Sequence, residues 1–146
     1  MKSLMKIGAG LLAAASLAGC GGSGTTVPGL TAVGSYSATQ FVTTGGSPSG
    51  ITNQLANGGS FHITLASNGT TTGHLSIAAG GNTPALEADM AGTWAQDGQT
   101  ITFSQAADTF VRNTPFTLTA NGGGTWDLVA DKTFSNTEFA IRLSRV

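Results

Sequence analysis

The sequence predicts an all-β domain, a single antiparallel meander barrel of about eight strands, with a β-sandwich as the alternative. Three observations carry that expectation. Past the N-terminal stretch, no segment of useful length spaces its apolar residues for a helix, and short runs alternate at period two instead. Glycine is over-supplied: 22 residues in a chain of 146, where average usage gives about 10. Between the runs stand Asn68-Gly69, Asp97-Gly98 and Asn121-Gly122, dipeptides that supply the positive φ of tight hairpins, with Asp131-Lys132 as a weaker fourth.

The first element in chain order is an address. Residues 1–19 carry Lys2 and Lys6, then an apolar run from Ile7 to Ser16, then small residues, the pattern of a secretory signal peptide. Leu17-Ala18-Gly19-Cys20 resembles the bacterial lipobox, which implies cleavage before Cys20 and acylation of its sulfur; the alternative is an ordinary signal peptide with a chance cysteine. Cys20 is the only cysteine of the chain, so the mature domain has no disulfide and its stability rests on packing and backbone pairing. Gly21 follows, where lipoproteins held at the inner membrane often carry aspartate. The resemblance therefore implies a lipid anchor in the cell envelope, at the outer membrane. Residues 20–32 read as the acylated cysteine and a flexible Gly/Ser/Thr tether.

The domain itself is expected over 33–146, with strands at about 34–43, 59–66, 70–78, 86–96, 99–105, 114–120, 123–130 and 137–145. Phe61-His62-Ile63-Thr64-Leu65 is apolar on one face and polar on the other. Leu86, Ala88, Met90 and Trp94 alternate with Glu87, Asp89, Thr93 and Ala95. Ile101 with Phe103, Phe116 with Leu118, Trp126 with Leu128, and Phe139, Ile141 and Leu143 continue the apolar face. No amphipathic helix is available to cover it, so the sheet must close on itself, which also removes its exposed edges. A sandwich needs longer crossovers than the chain offers; its longest connection, Thr44 to Gly58, lies between the first two strands.

Gly34-Ser35-Tyr36, Gly92-Thr93-Trp94 and Gly124-Thr125-Trp126 form a faint internal echo, read as barrel corners with an inward aromatic. These openings, the meander, GTWAQDGQTITF and a closing strand with Arg142 and Arg145 resemble the lipocalin-like barrels of small bacterial lipoproteins over roughly 33–146. Tyr36 stands where that family usually has tryptophan. The resemblance implies a small apolar ligand held inside the barrel, lined or filled by Phe61, Ile63, Leu75, Met90, Trp94, Phe103, Phe116, Trp126 and Phe139. The alternative is an envelope protein-interaction module, an inhibitor or assembly factor, whose core is solid.

Chemistry-bearing residues are few. A three-residue loop at Ser67-Asn68-Gly69 pairs Ala66 with Thr70 and sets His62 opposite His74 on the outer face, Phe61 opposite Leu75. The histidines read as a solvated pair, with half a zinc or copper site, or a pH-sensitive pair, as alternatives. Glu87 and Asp89 share a polar face and read as solvated, as do Asp127, Asp131 and Glu138 near Lys132 and Arg142. No G-x-S-x-G elbow exists, and no P-loop lysine follows the glycine-rich stretches. The expectation is no enzyme, no metal and no cofactor. Six basic against seven acidic residues exclude a nucleic-acid footprint; loss of Lys2 and Lys6 leaves four against seven, a net −3. No formal charge falls between Ile7 and Leu86, so half of the domain is polar through Thr, Ser, Asn and Gln alone, a surface suited to protein or glycan contact.

Overall fold

A computed structural model describes residues 31–45, 50–80 and 84–146. The segment expected to be a signal peptide and the expected lipidation site Cys20 lie outside the described residues. Ten strands form one antiparallel sheet: β1 (Gly34–Gly45), β2 (Gly50–Asn53), β3 (Ser60–Leu65), β4 (Thr70–Ile77), β5 (Leu86–Asp89), β6 (Gly92–Asp97), β7 (Thr100–Gln105), β8 (Pro115–Ala120), β9 (Trp126–Phe134) and β10 (Thr137–Arg145). Eight of them, β1, β3, β4 and β6 to β10, make a closed barrel, because β10 returns to pair with β1 from Tyr36↔Arg145 to Gly45↔Thr137. The meander barrel expected from the alternation is the fold, and β2 and β5 extend it along β1 and β4.

The first two expected hairpins, at Asn68-Gly69 and Asp97-Gly98, follow their turn chemistry, whereas Asn121-Gly122 makes no tight turn: five residues separate the paired Ala120 and Trp126, and the positive φ falls at Gly124. Phe61 faces Leu75 and His62 faces His74, the register set by the three-residue loop. Ala66 N–H donates to the Thr70 carbonyl, and Asn68 Oδ1 accepts from the Thr70 amide and hydroxyl. At Asp97–Thr100 a two-residue loop places Gly98 at φ +58, the first central position of a type II′ turn.

Four boundaries differ from expectation. The strand expected over 86–96 is β5 and β6, which keep one register along β4 but part at Met90-Ala91. Opposite the break Gly73 adopts φ +146, and a Cβ there would lie 2.1 Å from the His62 carbonyl oxygen. Met90 N–H donates to the Gly73 carbonyl, and the Gln105 amide bridges the Met90 and Ala91 carbonyls to the Thr71 hydroxyl. The strand expected at 123–130 is shifted to 126–134. Gly122 to Thr125 instead belong to a loop closed by the Asn121 amide on the Thr125 carbonyl, so the third glycine of the internal echo is a loop residue. Asp131 and Lys132 lie within β9, and the turn falls at Ser135-Asn136, both at positive φ as a type I′ hairpin requires. Finally, the connection 44–58 contains β2. Its one large apolar residue, Ile51, points outward at 79 % exposure, so no alternation announces it.

The interior is filled. Tyr36, Phe41, Phe61, Ile63, Leu65, Leu75, Met90, Ile101, Phe103, Phe116 and Leu118 are all buried. Ala32, assigned to the tether by its sequence, is also buried and accepts the Tyr36 hydroxyl. Phe110 is not on a strand. It enters from the connection between β7 and β8 and meets Phe41, Phe61 and Phe139 at ring-centroid distances of 6.1, 6.2 and 4.3 Å. Buried Gln54 ties the start of the β2–β3 excursion to its neighbours, donating to Thr43 Oγ1 and accepting from the Ala78 amide. Among the described residues no buried side-chain nitrogen or oxygen lacks a partner, as a stable interior without disulfides needs.

Candidate functional site

At one mouth of the barrel a cavity of about 270 Å³ opens where β4 ends and β5 begins. Ile77, Pro84, Ala85 and Leu86 form one side, Phe134, Ser135 and Thr137 of the β9–β10 hairpin the other, with Asp108 beside them. Phe139 closes it from within, since its ring stacks on Phe110 deeper in the barrel. The lining is mainly apolar with a few polar groups, the make-up of a small-molecule site, and its volume lies just under the lower end of the usual range of about 300–1,000 Å³. A compact ligand, or one ring or chain end of a larger one, fits it.

The nine side chains expected to line or fill the interior separate on this geometry. Phe61, Ile63, Leu75, Met90, Phe103 and Phe116 are fully buried against one another, and none borders the mouth cavity. Phe139 does. Trp94 and Trp126 are half-buried at the edge of the core, and the Trp94 indole N–H donates to the Ala66 carbonyl at 2.9 Å. Trp94 and Phe103 also border a shallow recess of about 150 Å³ beside Asn113. Eight of the nine therefore miss the mouth cavity, and Phe110 packs within the barrel against Phe41, Phe61 and Phe139. The sequence does not single out Leu86 and Phe134 as lining residues, nor Phe110 as the ring on which Phe139 stacks. Phe110-Val111 was detectable only as an apolar pair inside a polar run.

On the outer surface the sheet brings polar groups into one row. Ser37, His62, His74 and Asp89 are direct register partners across β1, β3, β4 and β5. Ser37 Oγ lies 2.8 Å from His62 Nδ1. His74 is held on both ring nitrogens, with Nε2 2.6 Å from Glu87 Oε2 and Nδ1 3.2 Å from Asp89 Oδ1. Ser76 donates to the other Glu87 oxygen at 2.6 Å. Hydrogen bonds to Glu87 first, then to Asp89, raise the His74 pKa above its ordinary 6.5. The Ser76 hydroxyl first, then His74, lowers that of Glu87 below 4.5. The hairpin of the two histidines carries no carboxylate of its own; β5 delivers both. Among the described residues no group of three or more His, Cys, Asp or Glu side chains is arranged to hold a metal ion.

One expected surface charge is not on the surface. Asp127 is buried, with Oδ1 accepting from Asn121 Nδ2 at 2.9 Å and Oδ2 from Arg142 Nη1 at 3.1 Å. These partners come from the loop before β9 and from β10, so the carboxylate joins the end of the meander to the closing strand.

Fold and site together define a small closed antiparallel β-barrel with a filled interior and an apolar cavity at one mouth. The chain matches no family model, no curated protein and no solved structure. No helix among the described residues is long and apolar enough to cross a membrane.

Proposed function

We propose that the chain is a lipid-anchored protein of the cell envelope that binds a small apolar ligand without chemistry, at the mouth of the barrel rather than in its centre. The cavity among Ile77, Leu86, Phe134 and Phe139 is the observation that carries this reading. Concave, mostly apolar pockets with a few polar groups favour ligands that lose water from apolar surface on entry. The lipobox-like Leu17-Ala18-Gly19-Cys20 supports the anchor and the outer-membrane placement, and two acyl chains give a stable hold. The resemblance to lipocalin-like barrels supports the ligand class.

Native mass spectrometry of residues 21–146, before and after organic extraction, tests the cargo, and fluorescence of the neutral probe N-phenyl-1-naphthylamine tests the site. Retained apolar mass, or probe binding lost in Leu86→Asp and kept in an outer-face variant such as Thr102→Ser, supports the reading. A clean apo mass with no probe binding by the folded protein overturns it. The second reading, an envelope protein-interaction module, then takes its place. That reading draws on the solid core and on the absence of formal charge over β1 to β4, where a partner would have no charge to desolvate.

A further inference from the structure

We propose that His74, gripped between Glu87 and Asp89, is a pH-operated clamp that holds β5 against β4 and so sets the apolar wall of the mouth cavity. This rests in part on the ligand-binding reading, because β5 matters to function only if the cavity does.

The argument begins with how β5 is attached. It has four residues and, among the described residues, pairs with β4 alone, through His74↔Asp89 to Ile77↔Leu86. Its inward side chains, Leu86 and Ala88, are only half-buried. Leu86 at its start lines the cavity together with Pro84 and Ala85. A short strand with partial burial and one neighbour has little to hold it beyond its backbone ladder and outer-face contacts. Of those outer-face contacts two fall on one imidazole, His74, and one on the Ser76 hydroxyl.

An imidazole can donate from both nitrogens only when it is protonated. In that state His74 satisfies Glu87 and Asp89 together and neutralises part of the repulsion between two carboxylates set two residues apart on one face. In the neutral state one of the two contacts loses its proton, and the carboxylates face each other with less compensation. The groups facing His74 are Glu87 and Asp89 from β5 and His62 from β3, with His62 itself turned to Ser37. Ser76 keeps Glu87 oriented toward His74 from β4. The clamp therefore closes on acidification and loosens as the pH rises past the histidine's range.

The reporter is built in. Met90 N–H, just after β5, donates to the Gly73 carbonyl of β4, while Trp94 N–H donates to the carbonyl of Gly69 in the loop that leads into β4 and serves as control. Hydrogen-exchange protection factors of the β5 and Met90 amides, measured on ligand-free protein at about pH 5.5 and about pH 8.5, test the clamp directly. The expected result is a two- to fivefold drop in protection at the higher pH, roughly the scale of exposed ion pairs, with Trp94 unchanged and the drop absent in His74→Gln. Equal protection at both pH values, or the same drop in His74→Gln, overturns the proposal. N-phenyl-1-naphthylamine titrated at the same two pH values then reads the consequence: its Kd rises about two- to fivefold with the loss of the clamp. A pH-dependent β5 with no probe binding at either pH upholds the clamp and defeats the ligand reading instead, so the two failures are distinguishable.

Discussion

Phe110 stacks on Phe139 with ring centroids 4.3 Å apart and an interplanar angle of 17°. One ring comes from an irregular connection and the other from the strand that closes the barrel. The pair separates the packed interior from the mouth cavity, which Phe139 borders and Phe110 does not. Phe110→Ala removes a buried ring that also touches Phe41 and Phe61, and large-to-small changes of this kind cost about 3–5 kcal/mol. Urea denaturation should show that loss. A loss of less than about 1 kcal/mol would mean that the connection carrying Phe110 does not pack into the barrel in solution.

Gly73 gives the second prediction. Its φ of +146 and the 2.1 Å approach of a built Cβ to the His62 carbonyl oxygen leave no room for a side chain. Because the neighbour is backbone, relief requires β3 and β4 to separate at the point where β5 and β6 part. Gly73→Ala should therefore destabilise the fold by at least about 2 kcal/mol, combining steric and φ strain. Gly122→Ala, in open space, should cost far less. Similar melting temperatures for the two variants would refute the account of the break.

How much of this could be read from residues alone depends on the range of each interaction. The inward faces of β3, β7, β8 and β10 were legible because period two is local to each strand. The pairing of His62 with His74 was legible because three loop residues fix a register. The residues from Ala78 to Ala85 carry no turn signal that fixes one, so nothing in the sequence announced that Glu87 and Asp89 would land on His74. Ile51 points outward and therefore left β2 without a pattern. Phe110 sits in a stretch with no period, and its role as a plug depends on rings contributed by three different strands. Burial of Asp127 likewise depends on Asn121 and Arg142 arriving from either side, which alternation cannot express.

The outer-face cluster also predicts how overall stability varies with pH. The His74 pKa is raised on folding, so its contribution is complete below about pH 6.5 and is lost as the pH rises through the raised value. Glu87 is lowered, so its contribution is complete above about pH 4.5 and is lost as the pH falls through the lowered value. The cluster is most stabilising in the mildly acidic interval between the two. The stability difference between the native chain and His74→Gln, taken from urea midpoints, should be larger near about pH 5.5 than near about pH 8.5. Both side chains are substantially exposed, so salt should shrink the difference. A difference independent of pH would show that the imidazole contributes no titrating contact.

Asp127 offers a test at the other side of the barrel. Its carboxylate is almost fully enclosed, whereas its partner Arg142 keeps 44 % of its side chain exposed. The asymmetry makes the two partners unequal under mutation. Arg142→Met keeps most of the aliphatic stem over the β9–β10 ladder but leaves Asp127 charged and enclosed, with Asn121 as the remaining donor. Removing one side of such a pair costs more than removing both, because the stranded charge has lost its solvent as well as its partner. Arg142→Met should therefore cost about 2–4 kcal/mol, and adding Asp127→Asn in the same chain should restore part of it. A double-mutant cycle by urea denaturation at neutral pH measures both quantities. If Arg142→Met and the double variant are equally unstable, Asp127 is not held by Arg142, and the join between the β8–β9 loop and the closing strand rests on Asn121 and the backbone ladder alone.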